Sequence, residues 1–148
     1  FFFKLTPGAN SGLKYFVTTG EDTKGAAIGL EYQVLDDTLH PDAKLGRAGN
    51  RTLASLYDMI KAEKKNVVRP IGQWNIGRVV VHPDNRVEHF LNGKKVLEYT
   101  RGSQAYRDLV SGSKYTVFPN FGEAERGHIL LQDHGDEVSF KNIKIRPL

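Results

Sequence analysis

The chain contains no cysteine, and only one methionine and one tryptophan among 148 residues. Without thiols it has no disulfide framework, no thiolate metal site and no cysteine nucleophile. That absence leaves the compartment open, because exported bacterial proteins also do without cysteine. No apolar run approaches the roughly 20 residues of a membrane-spanning helix. The Gly-x-Ser-x-Gly elbow, the phosphate loop and the dinucleotide fingerprint are all missing. Gly8-Ala9-Asn10-Ser11-Gly12 is glycine-containing but opens a strand, and reads as a tight turn. There is no internal repeat, low-complexity stretch or linker, so residues 1–148 read as a single domain. The formal charge of +4 is spread thinly, with acids between the bases. The densest run, Lys61 to Lys65, includes Glu63 and reads as a solvated loop; no nucleic-acid partner is expected. The opening Phe1-Phe2-Phe3-Lys4-Leu5 has no methionine and starts inside an apolar, strand-like stretch. The expectation is a fragment or processed form, with any targeting signal ahead of it.

What the sequence does have is period-two alternation. Leu13, Tyr15 and Val17 form one such set, and Ile28, Leu30, Tyr32 and Val34 a second. Val79 with Val81 and Ile129 with Leu131 repeat the pattern. Asn92-Gly93 between two such segments signals a two-residue hairpin, because both residues tolerate positive φ. Pro83-Asp84-Asn85 just before it completes a three-strand meander. Gly135-Asp136 is expected to join Ile129–His134 to Glu137–Ile145 as another hairpin, with a bulge near Lys141-Asn142. The one helix predicted is Ser103–Val110, capped by Ser103, with Tyr106, Leu109 and Val110 on one side. Many short strands and little helix define an all-β sandwich or closed barrel. Two connections are long, Asp36 to Arg51 and Ser111 to Gly127, and long loops often carry function.

The candidate site comes from strand faces that are polar for their position. Glu31 and Gln33 share one face of their strand, and Gln132 and His134 share one of theirs. Lys14 has the non-core parity. If these faces line one sheet, a carboxylate, an imidazole, an ammonium and amides converge, a set suited to a polyhydroxylated ligand. A solvated face is the plain alternative. His89 shares a face with Val87 and Leu91 and reads as a hydrogen-bonded core or rim histidine, while staying among the binding candidates. Asp36, Asp37, His40 and Asp42 raise a divalent metal, without any recognised ligand spacing; no cofactor is required by the sequence. Trp74 reads as a packing residue.

Several segments together, in order, resemble the 3-keto-disaccharide hydrolase family, long a domain of unknown function. They are Asn10–Phe16, Gly29–Asp37, Ser55-Leu56-Tyr57-Asp58, Gly72-Gln73-Trp74-Asn75, Glu88–Gly93, Gly127–Gly135 and Val138–Ile145. The resemblance implies a concanavalin A/laminin-G-like jelly-roll β-sandwich and export to the periplasm or medium. It also implies a carbohydrate partner, cleaved after its sugar has been oxidised at C3. Family members usually carry a further N-terminal segment before the Asn-Ser-Gly motif, so a sandwich lacking its first strand or strands is expected. Phe90 stands where tryptophan is often found. On this reading Glu31, His134 and Lys14 are the catalytic candidates, and Gln33, Gln132, His89, Asp36 and Tyr57 the substrate-binding ones. Glu31 or His134 would be the base, with Lys14 and Gln132 polarising the C3 oxygen. Direct hydrolysis through Glu31 and Glu88 is the alternative chemistry. A non-catalytic carbohydrate-binding module is the alternative function, and a pure interaction domain a third. Oligomeric state is not legible.

Overall fold

The alternation becomes eight strands and one α-helix among the described residues of a computed structural model, which are 1–20, 23 and 25–148. The strands are β1 (Phe2–Leu5), β2 (Asn10–Thr18), β3 (Ile28–Leu35), β4 (Asn75–Val81), β5 (Arg86–Leu91), β6 (Lys94–Thr100), β7 (His128–Asp133) and β8 (Val138–Lys141). They build two antiparallel sheets, ordered β6-β5-β4-β1-β8 and β3-β2-β7. The expected β-sandwich is therefore present, and the apolar opening stretch is itself a strand, paired to both β4 and β8.

Between the sheets lie Leu13, Tyr15, Leu30, Tyr32 and Val34 from one side and Val87, Leu91, Val96 and Tyr99 from the other, all buried. Each such large apolar side chain contributes roughly 1.5–3 kcal/mol on burial, which is what holds two sheets face to face. The meander β4-β5-β6 forms as expected, and Asn92 (φ 50°) and Gly93 (φ 87°) make its left-handed two-residue turn. The helix α1 (Gln104–Ser111) starts at Ser103, whose hydroxyl accepts the Tyr106 N–H.

Two expectations change. Gly135-Asp136 is not a hairpin turn: β7 pairs with β2, whereas β8 pairs with β1 in the other sheet. The chain crosses between sheets there, because Val138 and Phe140 find their partners in Leu5 and Phe3. Nor does a bulge continue the last strand; β8 stops at Lys141, and Asn142 turns away with φ 50°. The irregularity sits in β2 instead. Phe16 has φ 51°, and register shifts there against both neighbours. An arginine, Arg101, covers its ring at 3.8 Å.

The outer face of the three-stranded sheet is roofed by loops rather than open to water. The segment after β3 turns through Pro41–Lys44, and residues 54–57 then lie along the free edge of β3. Ala54 N–H donates to the Gln33 carbonyl (2.8 Å) and Tyr57 N–H to the Glu31 carbonyl (3.1 Å). A second turn, Lys114–Val117, closes over the same side, its backbone tied by Lys114 N–H to Asp58 Oδ2 (2.8 Å).

Candidate functional site

The register of β3-β2-β7 puts the outward residues of three strands side by side. Lys14 is paired with Glu31, and Gly12 with Gln33 on one flank and Gln132 on the other. Paired residues point to the same face, so Lys14, Glu31, Gln33 and Gln132 share one surface. With the loops above them Glu31, Gln33 and Gln132 line a cleft of about 360 Å³, within the range of small-molecule sites, and Lys14 stands behind Glu31 without lining it. Tyr57 and His134 line it too, together with Asn10, His40, Asp42, Lys114 and Asp136.

Glu31 is the unusual group. It is only 4% exposed, and burial pushes its carboxyl up to about 7 despite the opposing pull of Lys14 and Lys114. The nearer ammonium, Lys14 Nζ, stands 3.9 Å from Oε2, close enough for attraction but not a tight pair. Burial also draws the Lys114 ammonium below its ordinary range, partly offset by Glu31. Its Nζ lies 4.2 Å from the centre of the Tyr57 ring. Two amide oxygens at this surface, Gln33 Oε1 and Gln132 Oε1, are buried without a hydrogen-bond partner. Buried acceptors are normally satisfied, and among the described residues these two have no donor.

The remaining lining is held in place from behind. Arg51 bridges Asp42 (2.9 Å) and Asp58 (2.7 Å). His40 Nδ1 accepts the Asp42 N–H (3.1 Å), which leaves Nε2 as the protonated nitrogen of the neutral ring. Asp136 Oδ2 accepts the Asn10 N–H (2.9 Å), fastening the β7–β8 crossover to the start of β2.

Three readings from the sequence are corrected by placement. His89 is fully buried between the sheets and does not reach the cleft. Its Nδ1 donates to the Ala54 carbonyl (2.9 Å), so Nε2 accepts from Tyr15 Oη (2.7 Å), which in turn accepts from Tyr99 Oη (2.8 Å). Burial brings the imidazole pKa down to about 4 against the upward pull of the Ala54 carbonyl, and so holds the ring neutral. Asp36 is not a cleft residue either. Burial raises its carboxyl, but three backbone N–H groups, from Gly8, Thr38 and Leu39, more than reverse this and hold it low. Glu88 lies on the outer face of the other sheet, so the Glu31–Glu88 pair considered for direct hydrolysis does not form.

Of the four residues that raised a metal, only His40 and Asp42 share the cleft. Asp36 binds backbone, Asp37 pairs with Lys64 (2.7 Å) and Asp42 with Arg51. Among the described residues no group of three or more metal-ligating side chains converges. Lys114, His40, Asp42 and Asp136 are the cleft residues that alternation missed as a group. The signals available were local ones: Ser113, whose hydroxyl caps the turn carrying Lys114, and His40-Pro41, which opens the turn carrying Asp42. A larger groove of about 480 Å³ runs beside Phe1, Leu13, Ile129 and Ile143, but no carboxylate side chain among the described residues lines it.

A two-sheet β-sandwich thus carries, on the outer face of its three-stranded sheet, a cleft lined by a desolvated carboxyl, an ammonium group and two amide side chains. The family of 3-keto-alpha-glucoside-1,2-lyase-like domains matches residues 1–146, and the chain belongs to it. A curated 3-keto-disaccharide hydrolase of Bacteroides thetaiotaomicron is 39% identical over 165 residues, covering 99% of this chain and 56% of that protein. The chain thus spans about half the length of that relative. Two crystal structures of Parabacteroides distasonis proteins, each described as a candidate glycosyl hydrolase, share the fold. One superposes with a TM-score of 0.78 at 32% identity, covering 93% of this chain and 64% of the other. The second has a TM-score of 0.65 at 25% identity, covering 93% and 70%.

Proposed function

We propose that this domain cleaves 3-keto-glycosides, with Glu31 as the general base. The observation that carries the reading is the Glu31 carboxyl, buried, near neutral in its pKa, and flanked by Lys14, Lys114 and two amide side chains with free acceptors. A base works best with a pKa near the operating pH. A ketone at C3 acidifies the hydrogen on C2. Glu31 takes that proton, and the electron pair moves through C2 and C3 onto the ketone oxygen as an enolate. Lys14 and the Gln132 amide N–H are the donors that stabilise this oxyanion. The enolate then re-forms the ketone and a C1–C2 double bond, expelling the C1 oxygen, which takes up a proton from Lys114 or His134. Water adds across the double bond, hydroxyl to C1 and hydrogen to C2, so the net change is hydrolysis.

The alternative, a binding module without turnover, is less well supported. Such modules present bare aromatic platforms, whereas among the described residues the tyrosine ring lining this cleft, Tyr57, is covered by Lys114. The test is incubation with 3-keto-glucosides and with their unoxidised parents, in deuterated water. Turnover of the keto forms alone, with deuterium at C2 of the product, is the expected result. Turnover of the parents, or a product free of deuterium, would exclude proton abstraction at C2.

A further inference from the structure

Gly12 stands in the middle of the central strand, paired on both sides, with no left-handed backbone to account for it. Glycine in such a place weakens a strand, so its presence needs another reason. A Cβ added there would fall 2.5 Å from Glu31 Oε1, 2.9 Å from Glu31 Cδ and 3.0 Å from Gln132 Oε1. All three atoms are ends of side chains that face the cleft. The glycines at other sheet positions differ. Gly29 makes room for the backbone and side chain of Val17, and Gly77 for the ring of Phe1.

Resting on the reading of Glu31 given above, we infer that Gly12 is a positioning residue: its missing side chain is a notch that lets the Glu31 carboxyl fold down onto the sheet between Gln33 and Gln132. The geometry explains how a glutamate on the outward face of a strand becomes almost wholly buried. Lys14, directly across the strand pair, stays at 3.9 Å because the carboxyl is drawn toward Gly12 rather than up to meet it. Any side chain at position 12 lifts the carboxyl toward water and toward the lysines, and both changes favour its ionised form.

The experiment is Gly12→Ala, read first by NMR titration of a carbon-13-labelled Glu31 in the free protein, assigned with Glu31→Gln. The expected result is a titration midpoint at least about one pH unit lower than in the parent protein. If the domain turns over 3-keto-glycosides, the acidic limb of kcat/KM moves down by the same amount and kcat falls about tenfold or more. The stability cost of Gly12→Ala should shrink in the Glu31→Ala background, since the contact is then gone. If Gly12→Ala alone does not fold, rescue by Glu31→Ala shows the same contact. An unmoved midpoint in a folded Gly12→Ala, or no rescue of an unfolded one, overturns the inference. Absence of turnover in the parent protein would sink the proposed activity alone, because the titration and the coupling do not depend on substrate.

Discussion

Glu31 in β3 and Glu88 in β5 both sit mid-strand, each on the face of its sheet turned away from the other sheet, and each has a lysine nearby. Their surroundings push them in opposite directions. Around Glu88 stand His82 Nε2 (2.8 Å), Arg86 Nη1 (3.2 Å) and Lys95 Nζ (3.2 Å). The His82 hydrogen bond above all, with the two cations, holds that carboxyl down to about 2. Around Glu31 there are loops instead of counterions in contact, and burial lifts it to about 7. The same residue type, in the same secondary structure, becomes a permanent anion on one sheet and a proton-exchanging group on the other. What differs is whether loops exclude water from the face or cations bind on it in water.

The strongest way to break this contrast is by activity. Glu31→Gln should lower the rate on a 3-keto-glycoside by about 10²-fold or more, the usual contribution of a general base. Glu88→Gln should change it by less than about threefold, since its charge is spent on neighbouring cations far from the cleft. Equal losses in the two variants would erase the distinction.

A smaller effect is expected on stability, with opposite signs. The folded pKa of Glu31 lies above its ordinary 4.5, so its contribution is fully present below that value and is lost as pH rises through about 7. Glu31→Gln should therefore be stabilising at pH 8 relative to pH 5, by up to about 3 kcal/mol, measured by urea unfolding at the two pH values. The folded pKa of Glu88 lies below its ordinary 4.5, so its contribution is present above that value and lost as pH falls toward about 2. Its partners are substantially exposed, so Glu88→Gln should cost no more than about 1 kcal/mol at neutral pH. The smallest effect is that of salt. Half-molar sodium chloride should abolish most of the Glu88→Gln difference while leaving the Glu31→Gln difference largely unchanged, because exposed pairs are screened and buried groups are not.

The strands and one face of the cleft were legible because a strand exposes its parity directly in its sequence. Lys14, Glu31, Gln33 and Gln132 all carry the non-core parity, and the register does bring them together. Parity also marks His89 as sharing the face of Val87 and Leu91, and that face turned out to decide its place. The Gly135-Asp136 turn misled because turn chemistry says where a chain reverses, not which sheet the next strand joins. That choice is made by Val138 and Phe140 meeting Leu5 and Phe3, contacts far apart in sequence. Lys114, His40 and Asp42 depend on how two irregular loops fold over β3, and loops have no period from which a direction can be read.

The polar chain from Tyr99 through Tyr15 and His89 to Ala54 has a consequence for mechanics. It begins in β6, passes through β2, returns to β5 and ends on the carbonyl of a residue whose own N–H holds Gln33 of β3. Apolar layers alone can slide over one another with little change in contact area. Here a slide would break successive directional bonds at once, so the far sheet is keyed to the cleft floor at one alignment.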